Sequence, residues 1–572
     1  MYKKLLVFIF FVLSFQITSG QNEFITIWKP NAPVLNPPIA FTAPYPAGDN
    51  QIWFPGIGEN YTISWEEVGY PQHNGTIPNV TSTNQVFIDF GTSLNPTLVD
   101  ATYKVKVSNG NGVFKQIRFG DPVIYNFPTL SHMFILWNTL GSIDKITEIT
   151  QWGDISWTSM NNAFSNCRRL QLTATDTPNL SNVTDASFMF FGNPDFKGHN
   201  SMSTWNTSTI KLFTNMLGYF LSASASTGDT FNLPLGSWDM SSAEDISYMF
   251  FYRKAFNQNI NSWNISNVTT IEHTFENCIS FNQPLNNWNT SKVTTMAHTF
   301  ENCFSFNQPL DNWNTSKVTN MTFLFHFIPV FNQPLASWDT SNVTDFSHIF
   351  HNCTAFNQPL NTWNTSKGTT MEMLFTGASS FNQPLDSWDT SSVTSMLFTF
   401  LDATNFDQSL QTWDLSSLTS ANQMIQNSGL KCENYSKTLS GWANNPNTPN
   451  NINLVSTAPL IYSPDVINDR NILINKGWIF NGDTLGGECR ILGVSENQVN
   501  SISIYPNPAT DFIYIKNLKG LASYKIFDQS GRIVLQNLLN EEKINVNSLS
   551  KGNYILQIIS KDKTQSLKFI KN

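Results

Sequence analysis

The phrase FNQPL-x-x-W opens at Phe281, Phe306, Phe331, Phe356 and Phe381, with looser copies at Phe231 (FNLPLGSW), Phe256 (FNQNINSW) and Phe406 (FDQSLQTW). The tryptophans that close it (Trp238, Trp263, Trp288, Trp313, Trp338, Trp363, Trp388 and Trp413) stand 25 residues apart. A fixed period of this size marks a repeat array, in which each unit is too small to bury its apolar face alone and does so by stacking on its neighbours. Such an array is a long regular surface suited to binding, and nothing in the repeat unit itself looks catalytic.

Within one unit, residues 281–303, the apolar set is Phe281, Leu285, Trp288, Val293, Met296 and Phe300. Leu285 and Trp288 flank a short extended segment, so stacked parallel strands are expected on one face. Met296 to Cys303 has apolar residues at i and i+4, which predicts a short helical turn opposite. The column Asn282, Asn307, Asn332, Asn357 and Asn382 falls at tight bends, where amide side chains would bond backbone of their own and the next coil. Degenerate copies at Trp152–Phe164, Asn179–Phe190 and Trp205–Leu217 extend the array to about eleven coils.

The expected organisation is a solenoid between two β-sandwiches. A signal peptide covers 1–20, with Lys3 and Lys4 before the apolar run Leu5–Phe15. Short alternating strands at Phe24–Trp28, Tyr61–Trp65, Val86–Phe90, Tyr103–Val107 and Phe114–Phe119 predict an N-terminal β-sandwich over 21–126. The solenoid takes 127–428 and a helical cap 429–484, the latter signalled by Ser463, Pro464 and Gly477 around its second helix. A linker at 485–501 leads to a lysine-rich C-terminal β-sandwich at 502–572.

Net charge is −9, which removes the basic footprint of a nucleic-acid binder. Beyond the signal peptide no segment approaches ~20 apolar residues, so no transmembrane segment is expected. Cys278, Cys303, Cys353 and the earlier Cys167 share one repeat position, where other copies carry Ile328, Ala378 and Ala403. They read as small buried apolar side chains; a Cys278–Cys303 bridge would need Cα atoms within ~7 Å. Cys432 and Cys489 are free to pair in an oxidising exterior, but spacing does not decide it.

Phe256–Cys432 resembles the BspA-like leucine-rich-repeat surface proteins of the 25-residue class, as do FITIWKP (Phe24–Pro30), EITQWGDISWTSMNNAF (Glu148–Phe164) and YSKTLSGWA (Tyr435–Ala443). The resemblance implies a leucine-rich-repeat-like solenoid, surface exposure, and adhesion to a host or matrix component. It carries over no catalytic residues. Residues 502–572 resemble the type A sorting domain of the type IX secretion system, through Tyr505-Pro506-Asn507-Pro508, Gly531-Arg532-Ile533-Val534, Leu549–Tyr554 and Lys568–Lys571. That implies the type IX machinery as a partner, and export across the outer membrane to the cell surface or the extracellular space.

No catalytic, cofactor or metal site is expected. His273, His298 and His348 share a repeat position, but Phe323 and Met373 interrupt it, and His351-x-Cys353 lacks further ligands at zinc-like spacing. Asp239, Asp339, Asp389 and Asp414 exchange freely with Asn264, Asn289, Asn314 and Asn364, which would destroy acid–base chemistry but preserve a capping turn. The reading is a non-enzymatic, surface-displayed adhesion protein with an unknown extracellular protein or glycan ligand. Alternatives are a carbohydrate-capturing or polysaccharide-degrading protein using the solenoid groove, and a structural spacer.

Overall fold

A computed structural model describes residues 22–33, 48–125, 134–219, 229–486, 489, 502–516, 518, 522–539, 542–560 and 564–572. The expected signal peptide, and the expected linker apart from Leu485, Gly486 and Cys489, lie outside the described residues. The chain forms two compact units, Met1–Ile491 and Leu492–Asn572.

At the start of the first unit, Phe24–Trp28 and Tyr103–Ser108 alternate buried and half-buried residues, the period-two pattern of a strand with one face on a core. They belong to a seven-stranded sheet in the order Gln171–Leu172, Ile146–Gln151, Phe24–Trp28, Tyr103–Ser108, Gly56–Glu67, Tyr70–Ser82, with Val113–Ile117 also paired to Gly56–Glu67. The expected self-contained sandwich over 21–126 does not form. Ile146–Gln151 lies beyond that boundary, yet it covers the free edge of Phe24–Trp28 as an antiparallel neighbour. Phe24 then packs on Trp152 at 5.9 Å and edge-on to Trp157 at 5.1 Å, so the core of the sheet runs on into the repeats.

The sheet also buries a carboxylate. Glu67 accepts hydrogen bonds from Ser93 Oγ (2.6 Å), Leu94 N (2.9 Å), Asn95 N (2.9 Å) and His73 Nδ1 (2.5 Å). Burial alone would push its pKa upward, but these four donors outweigh burial and hold it at about 2, below its ordinary 4.5. A depressed carboxylate stabilises fully above the unfolded value and loses that stabilisation as pH falls through the folded one. Acid melts should therefore show stability falling between pH 4.5 and about 2. Glu67→Gln should flatten that stretch and cost roughly 2 kcal/mol at neutral pH after solvent screening. An unchanged acid profile would remove Glu67 as its source.

The expected leucine-rich-repeat solenoid of parallel strands and helical turns is not the fold. From Trp205 to Lys431 the described residues contain neither helix nor strand; the strands elsewhere fall into several small sheets. Successive repeats are joined by single parallel bridges, such as Thr270↔Thr295, Thr295↔Asn320 and Asn320↔Asp345. The stretch read as helical has left-handed residues at His298 (φ 56°) and Asn302 (φ 59°), which an α-helix cannot hold. Its amides turn outward to the next repeat: Met296 N to Asn320 O (3.0 Å), His298 N to Thr322 O (2.9 Å), Phe300 N to Leu324 O (3.1 Å) and Asn302 N to His326 O (2.9 Å). Thr299, Glu301 and Cys303 bond back three residues instead, so the segment is a chain of tight turns.

The repeat phrase has a physical meaning at each letter. Trp288, Trp313 and Trp338 are buried and stack at 6.3 Å with ring planes within 3°. Each indole donates to a carbonyl of the preceding repeat, as Trp313 Nε1 does to Leu285 O at 3.0 Å. Asn282 Oδ1 accepts from Asn307 N and from Gln308 Nε2, both at 3.0 Å. The same pair recurs one repeat on with Asn307, Asn332 and Gln333. The N-Q of FNQPL is thus an amide ladder that satisfies backbone at the bends.

Arg253 replaces cysteine in its column. It pairs with Asp229 at 3.1 Å with both side chains buried, and donates to Leu217 O and Asn193 O. The stack ends on a helix, Cys432–Asn444, whose Trp442 Nε1 reaches Leu410 O at 3.2 Å and so continues the tryptophan bonding. Asp407 supplies the last rung of the amide ladder to Lys431 N and Asn434 Nδ2. A second helix, Ile467–Asn475, follows a 3-10 turn capped by the Ser463 side chain. Cys432 and Cys489 form a disulfide.

The second unit has a three-stranded sheet (Ser503–Tyr505, Phe512–Lys516, Lys543–Asn545) and a four-stranded sheet (Ile533–Leu539, Ala522–Phe527, Gly552–Ser560, Thr564–Lys571). Ile513, Ile515, Ile526, Ile544, Leu556, Ile558 and Phe569 from both sheets share one core of their own.

Candidate functional site

Two columns of side chains rise along the turn segments, offset by three residues within each repeat. One runs Tyr248, His273, His298, Phe323, His348; the other runs Glu276, Glu301, His326, His351. Every residue of the first column has a left-handed backbone, with φ between 55° and 60°. The rings stack face to face, His273 on His298 at 4.2 Å, His298 on Phe323 at 4.5 Å and Phe323 on His348 at 3.9 Å.

The offset brings the columns into contact. His273 Nδ1 bonds Glu276, and His298 Nδ1 bonds Glu301 Oε2 at 2.5 Å. Glu301 Oε1 also takes a bond from His326 Nδ1 at 3.0 Å, one repeat further on. Burial pushes the Glu301 carboxyl up, but the hydrogen bonds and charge of His298 and His326 prevail and hold it well below the usual carboxylate range. An ionised carboxylate only accepts, so both imidazoles must donate from Nδ1.

Beyond Glu301 the next titratable groups of the two columns are imidazoles, with Phe323 stacked between His298 and His348. His348 Nδ1 and His351 Nδ1 lie 3.2 Å apart, and the His326 and His351 rings are 4.6 Å apart. Burial first, then repulsion from neighbouring imidazoles, lowers His348 to about 3 and His351 to about 4. Both are neutral at physiological pH. One nitrogen from each of His326, His348 and His351 lies within 4.8 Å of the others, and His273, Glu276 and His298 form a similar group two repeats lower.

The other residues singled out in the sequence take structural places. Asp239, Asp339, Asp389 and Asp414 each accept from the amide two residues on, as Asn289 and Asn314 do, so this column caps turns. Cys167, Cys278, Cys303 and Cys353 are buried thiols; Cys278, Cys303 and Cys353 donate to the carbonyls of Phe250, Phe275 and Phe325. Burial pushes the Cys353 thiol up to about 12, which leaves it inert as a nucleophile. The sequence reading missed Glu276, Glu301 and His326. Their signal was the period itself, since His326 and His351 stand 25 residues apart and Glu301 stands 25 before His326.

Beside this strip lies an exposed apolar edge. Phe304, Val330 and Phe327 are 47%, 43% and 40% exposed. Phe327 packs against His351 at 5.4 Å. Its backbone is left-handed, φ 58°, at a position where neighbouring repeats carry Asn277, Asn302, Asn352 and Gly377. Those residues tolerate this conformation; a bulky aromatic pays strain for it.

Residues 158–252, 214–338 and 323–442 match the family described as "Mycoplasma protein of unknown function, DUF285". Residues 503–572 match the secretion system C-terminal sorting domain. No curated protein matches the chain. No helix of the described residues is long and apolar enough to cross a membrane. The chain is thus similar over 158–442 to DUF285 repeat proteins and carries at 503–572 a sorting domain, which marks it as a protein secreted by the type IX system to the cell surface or the extracellular space.

Proposed function

We propose that this protein is a surface-displayed, non-enzymatic adhesion protein that holds an extracellular protein or glycan on the edge of its repeat stack. The observation that supports this is Phe327, an exposed aromatic kept in a left-handed backbone that asparagine would occupy at lower cost. In the same two repeats Val330 stands where the adjacent repeats carry Ser305 and Ala355, and Phe304 is a larger exposed side chain than the Ile279 and Pro329 of its neighbours. Strain and exposed apolar surface in one place favour an outside partner with an apolar face.

The test compares the secreted protein with its Phe327→Asn variant on glycan and matrix-protein arrays. Asparagine is the residue of the adjacent repeats, so the variant should melt at the same or higher temperature, gaining about 1 kcal/mol. Binding to the ligand found by the parent should drop at least tenfold. Equal binding by both proteins would remove this edge as the ligand surface.

A further inference from the structure

We propose that His326, His348 and His351 form a binding site for one divalent transition-metal ion of the zinc class, with a further coordination position left to solvent or an outside ligand. The inference stands apart from the adhesion reading, because it rests on the imidazoles and the Glu301 carboxylate and not on the exposed apolar edge.

Three observations converge. The three imidazoles each bring one nitrogen within 4.8 Å of the other two. Two of those side chains come from one repeat and one from the repeat before, so the stack itself assembles the set. Next, His326 Nε2 is buried and has no hydrogen-bond partner, on a residue only 8% exposed. Buried polar atoms without partners are rare, and such an atom beside two further imidazoles is the arrangement a metal would complete.

The third observation is the orientation of His326. Glu301 engages Nδ1 at 3.0 Å, which leaves the lone pair on Nε2. A carboxylate behind a histidine in this way fixes the tautomer and raises ligand basicity, as around protein-bound zinc. Imidazoles suit zinc, copper and nickel, and three of them leave a four-coordinate ion one place open. The 3.2 Å between His348 Nδ1 and His351 Nδ1 is close to the about 3.3 Å spanned by two nitrogens bound tetrahedrally at 2.0–2.1 Å. The lower group, His273, Glu276 and His298, is different. Its imidazole Nδ1 atoms are taken by carboxylates, and it contains no buried nitrogen without a partner.

The test uses the full chain stripped with a chelator and titrated with Co2+, whose visible absorption reports coordination by nitrogen, followed by displacement with Zn2+. One equivalent should bind with d–d bands, and Zn2+ should abolish them. The double variant His348→Met, His351→Thr takes its residues from the next repeat, Met373 and Thr376, and should keep the parent circular dichroism and melting temperature. Its Co2+ affinity should fall at least 100-fold. Glu301→Gln should weaken binding about tenfold to 100-fold while keeping the stoichiometry. Absence of d–d bands from the parent would overturn the proposal, as would undiminished binding by the folded double variant.

Discussion

Cells producing residues 1–502 should retain the protein in the periplasm, while cells producing the whole chain display it or release it. The matched sorting domain occupies 503–572 and has a hydrophobic core distinct from that of Met1–Ile491. Its loss therefore takes away the address without removing a core residue of the repeats. Surface proteolysis and fractionation in a host with the type IX system should show near-complete loss of external protein, with the internal pool still resistant to limited proteolysis. The reciprocal experiment adds a signal peptide and residues 492–572 to an unrelated fluorescent protein, which should then appear outside the cell. External protein at parent level from the truncation would separate export from this domain.

Trp313→Ala should destabilise the first unit by roughly 3–5 kcal/mol, as truncation of a large buried aromatic does. Trp313 is 3% exposed, lies between Trp288 and Trp338, and packs against Phe300 at 5.9 Å. The change opens a cavity in the middle of a column and strips Leu285 O of its indole donor, leaving that carbonyl only the bond from Trp288 N. Deleting a whole repeat should cost less. Removal of 356–380 brings Phe381 to the place of Phe356, and Asn332 Oδ1 then meets Asn382 N as it met Asn357 N. Each repeat meets only its neighbours, so the ladder closes over the gap. Thermal melts of the two variants decide the matter. A stable Trp313→Ala beside an unfolded deletion would mean that the tryptophan column does not hold the stack.

Much of the repeat stack was legible because identical residues at one period must occupy equivalent places. That logic placed the tryptophans inside, put Asn282 and its equivalents at hydrogen-bonded bends, and made the alternating Asp and Asn after tryptophan a turn cap rather than an acid–base pair. It failed for secondary structure. Met296 and Phe300 have the spacing of a helical face, but the same spacing also suits consecutive tight turns that point every fourth residue inward. The difference lies in where the amides go. In isolation they would bond four residues back; with another repeat alongside, His298 N and Asn302 N reach its carbonyls, and the left-handed backbone at those two residues makes that possible.

The sequence by itself determined the period, the buried tryptophan column and the secretion address, because each is written in local or exactly repeated residues. Only the tertiary structure decided which distant segments meet. Ile146–Gln151 covers the edge of Phe24–Trp28, Cys432 bonds Cys489, and His326 comes to lie beside His348 and His351. None of these pairings has a local signature. The first two join segments far apart in the chain through pairing that no period announces, and the histidines meet because hydrogen bonds between repeats set the stacking that brings His326 beside the next repeat.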